Sequence, residues 1–255
     1  MLKYTDQNAK MWDEWCKDQV RYTKAISHEK FLEMKATELA IRLTPGKIVP
    51  LEWFTGRGKR LLGLASGGGQ QGPVLAAHGY EVTIMDYSEK QLESEKMVAE
   101  RENYQIKTIR ADMTEKFPFE DACFDIIFSP VSNCYIEELT NLWQECYRVL
   151  RKGGALMVGY TNPIMYVFSD EDVWESETAP LACKYSLPYN SRELEKQGVR
   201  LDPYYGYQFS HTLQTQIRGQ LQAGFVIHDF YEDTDPRNRL SRYTDLYLAD
   251  LAIKP

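Results

Sequence analysis

From Arg60 to Tyr160, short apolar runs alternate with amphipathic stretches at the spacing of βα units, and no other feature of the chain constrains its fold as strongly. Strands read at Arg60–Ala65, Glu81–Asp86, Ile106–Arg110, Phe124–Ser129 and Ala155–Tyr160, with helices between them at Pro73–His78, Glu89–Glu100 and Ile136–Leu150. Parallel neighbours need a long crossover, so this alternation builds a parallel sheet with helices on its faces. Local signals agree. Pro73 sits in the first turn of its helix, where a missing N–H costs nothing. Ser88 is placed to cap the next helix, and Gln91 to complete a capping box. Leu139, Leu142, Trp143, Cys146 and Leu150 give the third helix one apolar face, and Gly153-Gly154 are expected to stop it.

Residues 1–58 read as an amino-terminal helical cap or lid, with helices around 8–24 and 28–42 and a breaker-rich end from Thr44-Pro45-Gly46 to Pro50. Residues 59–255 form the main domain, interrupted by a polar, aromatic insert at 161–209. A helix follows at Leu213–Gln222, then two β-rich runs, Phe225–Tyr231 and Thr244–Ile253. The short connection between these last runs leaves no room for a crossover helix, so they are expected to pair antiparallel at the end of a seven-stranded, mostly parallel sheet.

The 255 residues are 43% apolar, enough to fill a core. A net charge of −7 argues against a protein whose task is to hold phosphate backbones, so a nucleic-acid partner is not expected and small-molecule chemistry is the default. The five cysteines form no CxxC pair and the four histidines are scattered, so neither a disulfide framework nor a metal site is expected. The amino end has no apolar leader core, and no run reaches the ~18–20 apolar residues of a membrane span. A cytoplasmic protein, monomeric or homodimeric, is the expectation.

The first strand runs into Gly67-Gly68-Gly69-Gln70-Gln71-Gly72, where Gly67, Gly69 and Gly72 satisfy G-x-G-x-x-G. Glycine permits positive φ and close backbone approach, and the following helix presents unpaired N–H groups worth ~0.3–1 kcal/mol to an anion. A tight structural turn uses the same residues. Asp86 ends the second strand, where a carboxylate can accept both hydroxyls of an adenosine ribose; an N-cap is the alternative. Asp112 ends the third strand and can accept from an adenine amino group, while the Met113 N–H can serve the ring.

In that order the motifs resemble those of class I S-adenosylmethionine-dependent methyltransferases, over roughly residues 59–160 and the carboxyl-terminal strand pair. Leu61-Leu62-Gly63-Leu64-Ala65-Ser66-Gly67-Gly68-Gly69 resembles the family's first motif, and Asp86 and Ala111-Asp112-Met113 take the places of its ribose and adenine contacts. Phe117-Pro118-Phe119 with Phe124-Asp125 resembles the approach to its fourth strand, and Arg148 to Gly154 its late signature. More narrowly, the chain resembles a bacterial branch of unidentified substrate. The resemblance implies a Rossmann-like α/β fold and S-adenosyl-L-methionine as cofactor, with S-adenosyl-L-homocysteine as product. It places cofactor contacts at Ala65, Ser66, Gly67, Gly68, Gly69, Gln70, Gln71, Asp86, Tyr87, Gln91, Asp112, Met113, Ser129, Pro130 and Val131. Two positions depart from the family: Gly63 stands where an acid is usual, and Ala65 where a glycine is. The cofactor's amino group is then expected at backbone carbonyls near Ala65 and Ser129, with Gln70 or Gln71 adding a side-chain amide.

The loop Pro130-Val131-Ser132-Asn133-Cys134-Tyr135 is where the family places substrate, and Ser132 and Asn133 are candidates for orienting it, or polar residues closing a turn. Its Asn-Cys-Tyr order differs from the Asn-Pro-Pro-Tyr of enzymes that methylate amino groups of nucleic acids. Cys134 reads as a packed thiol; His211 is a candidate base or a capping histidine, and His28 a weaker candidate in the cap. His78 and His228 read as structural. Asn133 and His211 are thus the catalytic candidates. The insert's tyrosines, Tyr166 to Tyr207, read as a lid or as a satellite core. Two other functions stay open: a nicotinamide-dependent oxidoreductase, for which no Tyr-x-x-x-Lys is present, and a non-catalytic cofactor-binding protein.

Overall fold

The computed structural model describes residues 3–170, 173, 174, 178 and 180–255. Seven strands make one sheet: β1 (Arg60–Leu64), β2 (Glu81–Asp86), β3 (Lys107–Arg110), β4 (Phe124–Ser129), β5 (Leu150–Thr161), β6 (Val226–Asp233) and β7 (Tyr247–Ile253). Their spatial order is β3-β2-β1-β4-β5-β7-β6. β7 runs antiparallel to both of its neighbours, and every other pairing is parallel. β4 is buried along its whole length and β1 at all but its first residue. That is why Leu61-Leu62-Gly63-Leu64 and Ile126-Ile127-Phe128 read as apolar runs: each strand is covered on two faces. The chain proceeds from β1 toward β2 on one side and later to β4 on the other, and this reversal opens a crevice at the carboxyl ends of the strands.

The helices are α1 (Tyr4–Lys17), α2 (His28–Ala36), α3 (Gly72–Ala77), α4 (Glu89–Glu102), α5 (Thr140–Val149), α6 (Ser191–Lys196) and α7 (Gly219–Ala223). One sheet face packs Leu62, Leu64, Ile127, Leu156 and Val158 against Trp143, Cys146 and Val149 of α5. The other packs Leu61, Ile126 and Met157 against Val74 and Leu75 of α3 and Leu92 of α4. Leu43, Val49, Trp53 and Phe54 are buried in this second cluster, each such side chain contributing ~1.5–3 kcal/mol. The chain at Leu43 passes so close to β5 that a Cβ on Gly159 would stand 2.3 Å from the Leu43 carbonyl oxygen.

Several boundaries differ from the sequence reading. The amino-terminal helices are shorter than 8–24 and 28–42, because Gln19 takes a left-handed φ of 53° and Thr37 turns extended. The predicted helix over Ile136–Leu150 begins only at Thr140, after a separate 3₁₀ turn over Asn133–Tyr135. Gly153-Gly154 do not stop it. Leu150 is already extended (ψ 138°), and the glycines form an irregularity inside β5 where its register against β4 shifts. The helix predicted at Leu213–Gln222 opens as a π-turn over Gln214–Arg218 before α7.

The Arg148–Gly154 run proves to be a set of staples. Arg148 donates to Glu145 Oε2 (2.7 Å) and to the carbonyls of Phe117 (3.0 Å) and Phe119 (2.8 Å), tying α5 to the approach of β4. Arg151 Nε (2.5 Å) and Arg60 Nη2 (2.9 Å) both donate to Asp125 Oδ1, and these two cations hold that carboxyl well below the usual range.

Candidate functional site

β1 ends at Leu64, and the next residue, Ala65, is left-handed with φ 46° while its N–H donates to Met85 O (2.8 Å). The chain then turns through Gly68 (φ 106°) and Gly69 (φ 69°), a conformation costing other residues roughly 1–2 kcal/mol each. Space demands the first glycine: a Cβ on Gly67 would lie 2.8 Å from Gln91 Cβ and 2.9 Å from Asp86 Oδ2. Two acids hold the turn from beneath. Gly67 N–H donates to Asp86 Oδ2 (3.0 Å), and Gly69 N–H to Glu95 Oε1 (2.7 Å). Burial raises the Asp86 carboxyl above its ordinary value and pushes Glu95, which is fully buried, up to about 8.

The departure at Gly63 has a steric cause. A Cβ there would stand 2.4 Å from Ser66 Oγ and 2.5 Å from Ile84 Cδ1, so the volume where an acidic side chain would begin is filled by the serine and the isoleucine.

Beyond the turn, at the carboxyl ends of β1, β2 and β4, lies a cavity of about 100 Å³. Of the cofactor contacts expected from the sequence, Ala65, Asp86, Tyr87, Gln91, Asp112, Met113 and Val131 line it. α1 forms its roof with Thr5, Asn8, Ala9 and Trp12. This volume is below the ~300–1,000 Å³ of ordinary ligand sites, so a ligand of cofactor size needs α1 displaced outward.

α1 is tied down by the residues it covers. Thr5 Oγ1 donates to Asp112 Oδ2 (2.7 Å), Tyr87 OH to Asp6 Oδ1 (2.7 Å) and Cys16 Sγ to Gln91 Oε1 (3.3 Å). Asp13 Oδ1 accepts from Ser88 Oγ (2.6 Å) and Lys90 N (3.0 Å). Ser88 does cap α4, accepting from Gln91 N (3.2 Å). The reciprocal half of the predicted capping box is replaced, because Ser88 N donates to Asp86 Oδ1 (3.0 Å). Asp86 thus takes one N–H on each oxygen. Asp112 carries three protein donors, Thr5 on one oxygen and Thr114 N (2.9 Å) and Oγ1 (2.7 Å) on the other.

Other expected residues stand apart from the cavity wall. Gly67, Gly68 and Gly69 form the turn beneath it, and Ser66, Ser129 and Pro130 do not line it. Gln71 pairs with the Arg42 backbone in both directions, accepting from N (2.6 Å) and donating to O (2.8 Å). Gln70 buries an amide nitrogen without a partner. The Asn133 amide donates to Gln216 Oε1 (2.8 Å), and His211 Nε2 lies 3.2 Å from Asn133 O and 2.9 Å from Ile136 O. Both side chains are buried and hold the loop after β4; neither lines the cavity. Burial lowers His211 below its ordinary value. Cys134 is buried and pushed up to about 12 by that burial, and exposed His28 pairs with Glu102.

The sequence reading expected a cap from residues 1–58 but named none of its residues at the site. Thr5, Asn8, Ala9 and Trp12 fall on one helical face, a spacing that was there to be read. It also missed Tyr135 and Ile136 as wall residues; the Tyr135 ring lies edge-on to Trp12 at 5.4 Å.

Residues 62–158 match a family model described as a methyltransferase domain. The chain is 39% identical over 251 residues to the "uncharacterized methyltransferase YbaJ" of Bacillus subtilis, covering 97% of each chain. Among solved structures it is similar to an S-adenosylmethionine-dependent methyltransferase from Mesorhizobium loti, with a TM-score of 0.59 and 21% identity over 77% of this chain and 91% of that one. It also shares its fold with geranyl diphosphate C-methyltransferase from Streptomyces coelicolor, solved with S-adenosyl-L-homocysteine (TM-score 0.54, 15% identity, 78% of this chain and 73% of that one).

Proposed function

Because the chain belongs to the class I S-adenosylmethionine-dependent methyltransferases, we propose that it binds S-adenosyl-L-methionine in the cavity beneath α1 and passes its methyl group to a small molecule. One observation carries the reading: Asp86, at the end of β2, faces the cavity with each carboxylate oxygen fixed by a backbone N–H. An ionised carboxylate offers about four lone-pair positions, so capacity for two ribose hydroxyls remains. Glycine at position 67 lets the turn close onto that carboxylate, where any Cβ would collide with Asp86 and Gln91.

When bound, the cofactor supplies a methyl on a positively charged sulfur, and transfer to an acceptor lone pair leaves a neutral thioether. The protein's part is to orient and to exclude water, and alignment alone can supply ~7–11 kcal/mol. Asp86 holds the ribose. Asp112 and Met113 serve the adenine, Asp112 exchanging Thr5 for the ligand. Ala65 and Val131 face the methionine end, with Ser66, Gly67, Gly68, Gly69 and Gln70 of the turn and Ser129 and Pro130 of the β4 end behind them, while Tyr87 and Gln91 flank the ribose. Gln71 supports the turn through Arg42. Asn133 and His211 act as positioning residues of the acceptor loop rather than as a base.

Residues 1–58 serve as the cap and 59–255 as the catalytic domain. The acidic balance disfavours nucleic-acid acceptors, and no described helix is long and apolar enough to cross a membrane. We place the protein in the cytoplasm, as a monomer or homodimer. Calorimetry with S-adenosyl-L-homocysteine and NAD tests the cofactor, with binding of the first alone expected. Hydrogen bonds to a charged group are worth ~1.5–3 kcal/mol, so Asp86→Ala should weaken S-adenosyl-L-homocysteine about 100-fold with an unchanged circular dichroism spectrum. Binding of NAD alone would overturn the assignment.

A further inference from the structure

Ser132, in the loop after β4, is a residue of the cavity wall whose buried hydroxyl has no partner. It is 6% exposed, and its Oγ makes no hydrogen bond, while its carbonyl accepts from Tyr135 N (3.0 Å). Its polar neighbours Asn133 and His211 are spent on Gln216 and on backbone carbonyls. A hydroxyl buried without a partner costs about 1–3 kcal/mol, a cost that a bound ligand removes.

Position separates this hydroxyl from the adenosine contacts. Asp86 and Asp112 stand at the ends of β2 and β3, on one side of β1, whereas Ser132 follows β4 on the other. The cavity wall also carries Ala9, Trp12, Val131, Tyr135 and Ile136, and the roof amide of Asn8 is taken up by the Tyr135 and Tyr207 carbonyls. Burial keeps the Tyr135 phenol well above its ordinary value, so it remains uncharged. Among the described residues that line the cavity there is no Lys, Arg or His, and its two carboxylates lie at the adenosine end. A charged acceptor would meet no opposite charge here, and a buried unpaired ion is far costlier than a buried hydroxyl.

We propose that Ser132 is the polar anchor of the methyl acceptor, and that the acceptor is an uncharged, flat, largely apolar molecule carrying a hydroxyl group. The Tyr135 ring supplies a wall for a flat body, and Ser132 reads the hydroxyl. The inference rests on the methyltransferase reading above.

Calorimetry on the full chain tests it, using 1-naphthol, 1-naphthoate and 1-naphthylmethylamine as probes in the presence of saturating S-adenosyl-L-homocysteine. The expected result is binding of 1-naphthol in preference to both charged analogues. Ser132→Ala should weaken 1-naphthol about tenfold and leave S-adenosyl-L-homocysteine affinity within twofold. If S-adenosyl-L-homocysteine fails to bind the wild-type chain, the cofactor reading itself falls. If it binds but a charged probe is preferred, or 1-naphthol does not bind, the acceptor class is wrong. If Ser132→Ala leaves 1-naphthol unaffected, or weakens S-adenosyl-L-homocysteine as much, Ser132 is not the acceptor's anchor.

Discussion

Glu95 shows what a single side chain does for the glycine turn. It is fully buried, accepts the Gly69 N–H on one oxygen, and leaves the other without a partner. With its carboxyl pushed up to about 8, the folded chain keeps a proton that an unfolded glutamate releases near ~4.3. Between those values the native state binds more protons than the unfolded one, so stability falls as pH rises and levels off above about 8. Glu95→Gln preserves an acceptor for Gly69 and carries no titrating proton. Thermal melts at pH 5 and pH 8 should therefore show a smaller loss of Tm for the variant than for the wild type. An equal loss in both would mean that Glu95 does not carry the effect. Asp86 was legible in the sequence because a carboxylate at a strand end beside glycines has a position and a chemistry. Glu95 was not. In Glu93-Ser94-Glu95-Lys96 it reads as one more solvated helix residue, and only the crossing of α4 beneath the turn makes it a ligand of Gly69.

At the scale of elements, α1 decides access. Its hydrogen bonds go to Asp112, Tyr87, Gln91 and Ser88, four residues at the carboxyl edge of the sheet, and Asn8 Nδ2 also bridges to the carbonyls of Tyr135 (3.0 Å) and Tyr207 (3.0 Å). Three of these contacts end on carboxylates, where a hydrogen bond contributes ~1.5–3 kcal/mol, so α1 yields them at small net cost only where a ligand's hydroxyl and amino groups take its place. Hydrogen exchange read by mass spectrometry should show α1 amides slowing at least several-fold with S-adenosyl-L-homocysteine. If α1 exchange is the same with and without ligand while β1 and β2 amides slow, the helix is not part of the site. The existence of a helix near the amino end was readable from its pattern, but its ends were not. α1 stops at Lys17 because Gln19 turns left-handed, and neither glycine nor proline marks the place. The converse error arose at Gly153-Gly154, a glycine pair that reads as a helix stop and instead shapes the start of β5.

Across the whole molecule the two ends of the sheet have separate tasks, and that division yields a test. The sheet was legible in advance because its central strands carry apolar cores and its last two runs lie too close together for a crossover. The staples at its opposite end were not, since they join Arg60, Asp125 and Arg151 through pairings that only the strand order brings together. Asp125 stands at the start of β4 and the cavity at its far end, roughly 17 Å along a strand of this length. Asp125→Ala removes the acceptor shared by Arg60 and Arg151 and leaves two cations together. Removing one partner of a fully buried pair costs ~3–5 kcal/mol, and the partial exposure of both arginines reduces this to about 2 kcal/mol, or a Tm lower by ~4–8 °C. Because these arginines hold the Asp125 carboxyl low, its contribution is present at neutral pH and fades as pH falls below the ordinary carboxylate range toward its lowered folded-state value, so wild type and variant should converge in strongly acidic solution. At pH 7 the same variant should bind S-adenosyl-L-homocysteine with wild-type affinity, measured by calorimetry below its melting range. A loss of affinity comparable to that of Asp86→Ala would show that scaffold and site are coupled along β4, and the division of labour between the two ends of the sheet would have to be abandoned.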